Sequence, residues 1–476
     1  MGLQIDIAWL TFLMFGSLLV VLLAGLPMAF VTGGLACVFL YLFGDAAMLN
    51  MLPGRVFPFM TDYQLSAIPL FIFMAAVLEK AGIIEELFDA IYKVLGGIKG
   101  GLASATVVVC TILAAMVGVV GATEVTMGMI ALPAMLKRKY DPMMAMGSIL
   151  AGGTLGILIP PSVMAIVYAV VAQQSLGELL MGSVFPGLLL SGLYIAYVTT
   201  LSYAFPHMGP PLPVEERVSL LEKLKLLRGL TAPILLIGMV LGVIFFGIAT
   251  PVEAAGIGTF GALVVSAMYR QLNWTSLQAA VIATMRATAM VMWIFFGATM
   301  FVGFIILKGG QTFVTQSLLG TGLPAYGILA VMQIILFILG MFLDWVGILL
   351  LMMVVLFVLG MFLDWVGILL LTVPIFVPIL TALSFHGVLG LEGVKPADIP
   401  LWYGVIFIVN MQMAFLSPPF GYSLFYLKSV APPQITMAMV FRAAVPFLCL
   451  QAIGLSLCIL FPKIVLWLPR LMYVPS

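Results

Sequence analysis

The chain has 476 residues, of which 64% are hydrophobic and only 8% are charged. Soluble domains carry about 25% charged residues, so this composition excludes a soluble, a nucleic-acid-binding and a disordered protein. The formal net charge of +1 also argues against a polyanionic partner such as nucleic acid. The apolar runs are continuous and do not alternate as they would in a β-barrel, which favours a polytopic helical membrane protein in a lipid bilayer.

Apolar runs long enough to cross a bilayer recur along the chain. The hydrocarbon core of a membrane requires about 20 apolar residues per helix. The candidate spans are 8–25, 27–44, 64–80, 143–171, 179–205, 231–248, 253–269, 281–306, 402–427 and 438–462. Two further regions, 101–136 and 325–382, are apolar but are interrupted by polar or glycine-rich centres. These two regions do not have the pattern of plain spans.

Basic residues indicate how region 101–136 is threaded. Cytoplasmic loops of membrane proteins are enriched in Lys and Arg. The basic residues on the two sides of this region are Lys93, Lys99, Lys137, Arg138 and Lys139. We therefore expect the chain to enter and leave on the cytoplasmic face, as a re-entrant hairpin. Residues 83–95 have the pattern of an amphipathic helix that lies along the interface.

The two halves of the chain repeat the same order of features. Each half has scaffold spans, then an interrupted hairpin, then a span broken by a double proline. In the first repeat, residues 1–206, the scaffold spans are 8–80, the hairpin is 101–136, and the broken span is 143–171 with Pro160-Pro161. In the second repeat, residues 231–476, the scaffold spans are 231–306, the hairpin is 325–382, and the broken span is 402–427 with Pro418-Pro419. A cytoplasmic connector, 207–230, joins the halves. Half one starts outside and half two starts inside, so we predict an all-α fold with two inverted repeats, two re-entrant hairpins and two broken helices.

Paired broken helices in inverted repeats point to a secondary-transporter site near the bilayer midplane. Non-helical backbone is tolerated at that depth only where it is buried in protein or lines a cavity. Its carbonyl oxygens can coordinate a bare cation, while the N-termini of half-helices can face an anion. The sequence therefore predicts a site for an ion and an anionic substrate.

Four motifs make the chain similar to a known family. They are GGTLGILIPPS at 152–162, ATPVEAA at 249–255, GMFLD, and NMQM at 410–413 followed by LSPP at 416–419. With these motifs the chain resembles the large membrane subunit of tripartite ATP-independent periplasmic (TRAP) transporters over nearly its whole length. One departure is the first hairpin tip, which reads Gly121-Ala122-Thr123-Glu124 where many relatives have a Ser-Gly-Ser type of tip.

The resemblance implies an elevator-type, sodium-coupled importer of small organic acids in the bacterial inner membrane. It implies two partners, a periplasmic substrate-binding protein and a small four-helix membrane subunit, which we expect as a separate chain. It implies no enzymatic activity and no cofactor beyond the coupling ion Na⁺.

We predict that sodium binds where each hairpin tip meets the broken helix of its own half. The first ligand set is Gly118, Gly121, Thr123, Gly152, Thr154 and Gly156, and the second is Gly360, Asp364, Gly367, Met411, Gln412 and Ser417. Backbone carbonyls would supply most of the hard oxygen ligands. The substrate carboxylate would lie between the two sites, near the broken-helix residues Pro160, Pro161, Ser162, Pro418, Pro419 and Gly421.

Several of these residues also have a purely structural interpretation. Glu253 follows Pro251 at a helix start, so a helix cap competes with cation coupling. The same alternatives stay open for Glu124 and Asp364, which lie at hairpin tips. The double prolines could produce a simple kink, and Gly118, Gly121 and Thr123 could serve only close helix packing.

A repeat interrupts the second hairpin. The segment GMFLDWVGILLL begins at residue 340 and again at residue 360, so the period is 20 residues. A tandem duplication absorbed by the fold, a slip in the recorded sequence and a functional lengthening are all open interpretations. The second copy is followed by Thr372 and Pro374, and the first hairpin is followed by a similar proline segment. We therefore favour Asp364, in the second copy, over Asp344 as the functional acid.

Three rival functions stay open, and each has its own requirement or signature. A stand-alone sodium/dicarboxylate symporter would work without any binding protein. An intramembrane enzyme would need a buried nucleophile or acid–base pair, which the sequence does not offer, and a passive channel would conduct without saturating.

Overall fold

The computed structural model describes residues 5–23, 28–44, 49–118, 120–213, 215, 218–219, 222–223, 226, 231–342, 365–385, 393–418 and 421–472. Within these ranges the secondary structure is helical, apart from one isolated antiparallel bridge between Phe385 and Val394. Gly360, Asp344, Asp364 and Pro419, which the sequence singled out, lie outside the described residues.

The first half contains ten α-helices within the described residues. They are α1 (Ile7–Leu23), α2 (Met28–Phe43), α3 (Met51–Met60), α4 (Ala67–Lys80), α5 (Ile83–Leu95), α6 (Gly101–Val117), α7 (Val120–Lys137), α8 (Pro142–Thr154), α9 (Val163–Val171) and α10 (Leu176–Ala204). Short 3-10 helices cover Tyr63–Ser66 and Leu155–Ile157. The helix α5 confirms the amphipathic segment expected at 83–95, with Glu85 and Glu86 in its first turn and Lys93 in its last.

The second half repeats this series among its described residues. Its helices are α11 (Thr231–Phe245), α12 (Pro251–Met268), α13 (Trp274–Leu307), α14 (Gly310–Leu319), α15 (Ala325–Phe342), α16 (Trp365–Thr381), α17 (Ile399–Leu416), α18 (Tyr422–Val430), α19 (Met437–Leu460) and α20 (Lys463–Met472), with a 3-10 helix at Pro396–Asp398. The second copy of the GMFLDWVGILLL segment enters the described chain at Trp365, where it forms the start of α16.

Six helical segments among the described residues are long and apolar enough to cross a membrane. They are Tyr63–Lys80, Leu176–Ala204, Pro251–Met268, Trp274–Leu307, Pro396–Leu416 and Met437–Leu460. In the most apolar 18-residue stretch of Pro396–Leu416, 94% of the residues are buried within the protein, whereas in that of Met437–Leu460 the buried share is 39%. The helix α17 is therefore central, and Trp402 and Tyr403 on it are among the largest fully buried side chains.

The hairpin expected at 101–136 is present as α6 and α7. The chain reverses between Val117 and Val120, next to Gly118 in the left-handed conformation, and the two arms pack on each other. In the second half, α15 and α16 also pack on each other, and both pack on α17. In each half, therefore, both arms of the hairpin pack on the helix that precedes the break: α6 and α7 on α8, and α15 and α16 on α17.

Both double-proline spans are broken, as the sequence predicts. The helix α8 has 13 residues and α9 has 9, which is about 20 Å and about 14 Å at 1.5 Å per residue. Neither half-helix alone crosses a hydrocarbon core of about 30 Å. The helices α17 and α18 divide the corresponding span of the second half at residues 417–421.

The packing between the halves is reciprocal, as an inverted repeat requires. The helix α2 packs on α13 and its counterpart α12 packs on α4; likewise α8 packs on α19 and α17 packs on α10. Two further contacts are reciprocal in the same way: α7 packs on α18, and α9 packs on α16. Each hairpin's second arm lies against the second half-helix of the opposite repeat. The fold is an all-α polytopic fold built from two interlocked inverted repeats.

Candidate ion and substrate site at the helix breaks

The first break, between α8 and α9, is stabilised by hydrogen bonds of Ser162. The Ser162 hydroxyl donates a hydrogen bond of 2.5 Å to the carbonyl oxygen of Ile157, at the end of the 3-10 turn. The same hydroxyl oxygen accepts a hydrogen bond of 3.2 Å from the backbone N–H of Ala165, in the first turn of α9. One buried side chain thus fixes both ends of the unwound segment that contains Pro160 and Pro161. A defined break, and not a simple kink, separates α8 from α9.

The second break is closed by backbone and serine hydrogen bonds. The Ser417 hydroxyl donates to the carbonyl oxygen of Met413 at 2.7 Å, and the N–H of Gly421 donates to the carbonyl oxygen of Ser417 at 2.9 Å. A Cβ atom at Gly421 would lie 2.0 Å from the carbonyl oxygen of Phe415. Only glycine fits at this position, because the chain folds back tightly before α18 begins.

The first hairpin tip meets the first break. Gly118 ends α6 with a φ of +64°, and a Cβ atom there would lie 2.4 Å from the carbonyl oxygen of Pro161. The turn therefore comes before the predicted tip, because residues 121–124 belong to the first turns of α7. A Cβ at Gly121 would lie 2.8 Å from the Tyr426 ring on α18. The hydroxyl of Thr123 is buried and has no hydrogen-bond partner within the described residues. The tip therefore lies between the break of its own half and α18 of the other half.

Thr154, the last residue of α8, is the centre of a buried polar network. Its carbonyl oxygen accepts a hydrogen bond of 2.6 Å from Gln412 Nε2 on α17. Its hydroxyl donates to the carbonyl oxygen of Ala151 at 2.9 Å and accepts from Gln451 Nε2 at 3.1 Å. The Tyr194 hydroxyl of α10 faces Gln451 and Thr154. Four helices from both halves thus converge on one threonine.

This network leaves oxygen atoms free at the centre of the molecule. The amide oxygens of Gln412 and Gln451 are buried and have no hydrogen-bond partner within the described part of the chain. Both oxygens of Thr154 are engaged in hydrogen bonds in this conformation. Among the side chains of this network, the two glutamine amide oxygens are therefore more available than the Thr154 oxygens as ligands for a cation.

The other predicted ligands lie as follows. Gly152 and Gly156 are buried in α8 and the 3-10 turn, and a Cβ at Gly152 would lie 2.8 Å from Cys110 on α6, so Gly152 also serves close helix packing. Gly367 is buried in α16, and Met411 is buried in α17. Gly360 and Asp364 lie outside the described residues, so the second ligand set is only partly placed. The sodium ligands as a set stay a prediction.

Glu253 is a helix cap. The Thr250 hydroxyl oxygen accepts the N–H of Glu253 at 3.3 Å, while the Glu253 carboxylate accepts the N–H of Thr250 at 2.7 Å. These reciprocal bonds form a capping box that satisfies free N–H groups at the start of α12. Glu253 is exposed, and the cap interpretation accounts for its position.

Glu124 is different, because its side chain is fully buried on α7. A Cβ atom at Gly153 would lie 2.2 Å from Glu124 Cγ, so the missing side chain of Gly153 makes room for the carboxyl group. The Ser423 hydroxyl of α18 faces this carboxyl group. Neither group completes a hydrogen bond within the described residues.

Sequence reasoning missed several of these participants. Gln451, Tyr194 and Ser423 were not singled out, although each is a polar residue in an apolar helix. Asn410, the first residue of the NMQM motif, bonds between helices. Its Nδ2 donates to the carbonyl oxygen of Gln333 at 2.9 Å and to Gln333 Oε1 at 2.5 Å, which ties α17 to α15. A search for amides inside apolar runs would have found Gln333 and Gln451.

Sequence comparison decides between the families that have this kind of fold. The family model described as "Tripartite ATP-independent periplasmic transporter, DctM component" matches residues 15–348 and 344–464. The chain belongs to this family. The resemblance drawn from the motifs is thereby confirmed, and the protein is the large permease of a TRAP transporter, a multi-pass membrane protein. The division between the two matched segments falls in the first copy of the GMFLDWVGILLL repeat.

Individual relatives extend over almost the whole chain. The C4-dicarboxylate TRAP transporter large permease DctM of Vibrio cholerae is 28% identical, over 98% of this chain and 98% of that protein. The ectoine/5-hydroxyectoine TRAP transporter large permease UehC of Ruegeria pomeroyi is also 28% identical, over 96% and 98%. The isethionate TRAP transporter permease DctMQ of Oleidesulfovibrio alaskensis is 27% identical over 95% of this chain, which spans 65% of that longer protein.

A solved structure shares the fold. The crystal structure of the Alcanivorax borkumensis YdaH transporter, described as having an unusual topology, superposes with a TM-score of 0.61 over 87% of this chain and 88% of that one. The two sequences are only 15% identical, so the likeness concerns the fold.

Proposed function

We propose that this permease imports small organic acids by a sodium-coupled elevator mechanism and depends on a substrate-binding protein. The observation that carries the proposal is the pair of buried breaks after Thr154 and Leu416, each next to hairpin arms. Unwound backbone at this depth needs a reason, and transport of an ion with an anion supplies one. The relatives' names include C4-dicarboxylate and isethionate, which are small organic acids.

Sodium would bind through oxygen atoms at the two breaks. Na⁺ is a hard cation that prefers oxygen ligands. The Pro161 carbonyl lies next to the hairpin turn at Gly118, and the Thr123 hydroxyl on α7 is buried. We propose the first site there, among Gly118, Gly121, Thr123, Gly152, Thr154 and Gly156. The second site would involve the carbonyls near Met411, Gln412 and Ser417, together with Gly360, Asp364 and Gly367 of the second hairpin.

The substrate carboxylate would bind between the two cation sites. The half-helices α9 and α18 both begin at a break, after Ser162 and after Gly421. A helix N-terminus carries a partial positive charge and free N–H groups, which favour an anion. Pro160, Pro161, Pro418 and Pro419 would keep the segments unwound at these ends. The binding protein would supply much of the substrate specificity.

The elevator part of the proposal divides the chain into two bodies. The hairpins and broken helices would move as a transport unit, while spans 8–80 and 231–306 would stay as the scaffold. The contacts of α4 with α6 and of α13 with α16 lie on the surface between these bodies. We propose that this surface slides during transport.

Two partners complete the proposed transporter in the bacterial inner membrane. The family description names a tripartite and periplasmic system, which fits a periplasmic substrate-binding protein and a small four-helix membrane subunit as a separate chain. Thermal-shift screening of the binding protein against organic acids, with ectoine and isethionate included, would identify the substrate class.

Reconstitution tests the proposal directly. The permease, with its small subunit, is placed in proteoliposomes, and uptake of the acid is measured with and without the binding protein. We expect uptake only when both the binding protein and an inward sodium gradient are present. Uptake of equal rate without the binding protein would instead favour a stand-alone sodium/dicarboxylate symporter.

A further inference from the structure

The chain folds back over the base of hairpin one as soon as it leaves α10. The N–H of Phe205 donates to the carbonyl oxygen of Leu201 at 2.8 Å, and the N–H of Met208 donates to that of Phe205 at 2.9 Å. These two bonds end α10 in a tight turn. The segment that follows is rich in proline and reads FPHMGPPLP over residues 205–213. We call residues 205–213 strap one.

Strap one is hydrogen-bonded to the loop that leads into α6. The N–H of Gly100 donates to the carbonyl oxygen of Gly209 at 2.9 Å, and the N–H of Leu212 donates to that of Gly96 at 2.7 Å. The contact is close, because a Cβ at Gly209 would lie 3.0 Å from the Gly100 Cα and a Cβ at Gly96 would lie 1.8 Å from Leu212 Cδ1. The Leu212 side chain is buried by this contact.

Strap one is also bonded to the start of α8, at the other end of hairpin one. The N–H of Asp141 donates to the carbonyl oxygen of Met208 at 2.9 Å. The Asp141 carboxylate accepts the N–H groups of Met143 and Met144 at 2.9 Å and 3.1 Å, which caps α8. One residue therefore begins the first broken helix and holds the strap. Both ends of hairpin one are tied to the segment that follows α10.

The second repeat has an equivalent contact at the equivalent helix. Asp398 is the N-cap residue of α17, as Asp141 is that of α8. The Asp398 carboxylate forms an ion pair with Arg470 on α20, and α20 follows α19 as strap one follows α10. The helix α20 packs on α10, α17 and α19, and its Val465 and Leu466 side chains are buried. We call α20 strap two.

The two straps share a position and differ in chemistry. Strap one uses backbone hydrogen bonds, whereas strap two uses an ion pair and an apolar helix face. In each repeat, the segment after the last long helix returns to the residue that begins the broken helix. Because the repeats are inverted, the two straps lie at opposite ends of the bundle. The recurrence with unlike residues indicates that the position of the contact is what the fold preserves.

We propose that the two straps hold the bases of the broken helices closed. Strap one joins both ends of hairpin one and the start of α8 to α10, so this base opens only as one unit. Hairpin one then moves on its own only at its tip, near Gly118. Strap two joins the start of α17 to α10 and α19. Under the elevator mechanism proposed above, the straps travel with the transport unit, but the straps themselves do not require that mechanism.

Hydrogen–deuterium exchange of the purified, full-length permease in lipid nanodiscs tests strap one. Leu212→Ala removes its buried side chain, so exchange should become faster by about tenfold or more in residues 96–104 and 138–145 as well as in 205–213. The control is Leu323→Ala, which alters an exposed leucine in the loop before α15 and should leave these segments unchanged. Faster exchange confined to residues 205–213 would overturn the proposal, because the strap would then lie on the hairpin without holding it.

A measurement on the wild-type protein keeps the test decisive if Leu212→Ala folds poorly. The hydrogen-bonded N–H groups of Gly100, Asp141 and Leu212 belong to one unit if strap one joins the two ends of the hairpin. Their protection factors should therefore agree within about tenfold. A larger difference would contradict the proposal, since one end of the hairpin would open without the other.

A charge exchange tests strap two in the same measurement. Arg470→Asp places two carboxylates together at the start of α17, so exchange in residues 399–406 should become about fivefold faster. Adding Asp398→Arg restores an opposite pair and should return exchange to the wild-type rate. Arg442→Asp makes the same change at an exposed position of α19 and should have no effect on residues 399–406.

A double variant that exchanges as fast as Arg470→Asp alone would overturn the role of strap two. Exchange in residues 399–406 that is the same in Arg470→Asp and in the wild-type protein would do so as well. These measurements require no substrate, sodium gradient or partner protein, so their failure is distinct from failure of the proposed function.

Discussion

The side-chain amide of Gln412 donates a 2.6 Å hydrogen bond to the carbonyl oxygen of Thr154, across 258 positions of sequence. Thr154 is the last residue of α8 before its break, and Gln412 lies on α17 shortly before the break of the other repeat. The bond therefore joins the two breaks at the point where the repeats cross. We expect the two unwound segments to behave as one unit.

The first prediction concerns this bond. Gln412→Met keeps the length of the side chain but leaves the buried Thr154 carbonyl without its donor, which costs about 1–3 kcal/mol. The measurement is the thermal unfolding midpoint of the purified permease in detergent. Gln278→Met, at an exposed position of α13, is the matched control. Equal midpoints for the two variants would contradict the role given to the bond.

The second prediction concerns the hairpin tip. Gly118→Ala places a Cβ in a left-handed conformation and 2.4 Å from the Pro161 carbonyl, so the tip must shift away from the break. We expect a loss of about 1–3 kcal/mol and weaker sodium dependence of uptake. Gly192→Ala is the control, because nothing lies within 4 Å of the added atom on α10. Normal sodium dependence in Gly118→Ala would show that the tip is not part of the ion site.

The third prediction separates a cap from a coupling residue. Glu253→Gln preserves a capping-box partner, whereas Glu253→Ala removes it and should lower the thermal unfolding midpoint slightly. Both variants should keep the sodium dependence of uptake, because Glu253 is exposed at a helix start. Uptake that no longer responds to sodium in Glu253→Gln would mean that the carboxylate also serves the ion.

The fourth prediction concerns the duplicated segment. Deletion of residues 345–364 joins Asp344 to Trp365 and restores a single GMFLDWVGILLL copy. Because α15 and α16 already occupy the positions equivalent to α6 and α7, we expect the shortened chain to fold and to support uptake. Size-exclusion chromatography checks the folding. A folded but inactive deletion variant would favour a functional lengthening.

Much of this architecture follows from local sequence signals. The double prolines at 160–161 and 418–419 predict the breaks because proline cannot complete a helical hydrogen bond, and the capping box at Thr250 and Glu253 can be read from spacing alone. The glycine-rich centre of region 101–136 likewise predicts a turn, although the turn lies at Gly118 and not at the predicted tip, 121–124. These features depend on a few neighbouring residues.

The tertiary contacts could not be predicted in this way. The network around Thr154 unites Gln412 and Gln451, which are distant in sequence and carry no spacing signal. The packing of α7 on α18, which gives Glu124 its Ser423 neighbour, comes from the interlocking of the repeats. The sodium sites were predicted from the hairpin tip and the broken helix of one half at a time. The contacts that the opposite half makes with these elements do not enter that prediction.

The most direct test of the account is the ion dependence of uptake into proteoliposomes that contain the permease and its partners. With sodium outside, we predict concentrative uptake of the organic acid that collapses when sodium is replaced by choline or potassium. Uptake that continues at the same rate after this replacement would contradict sodium coupling at the two helix breaks.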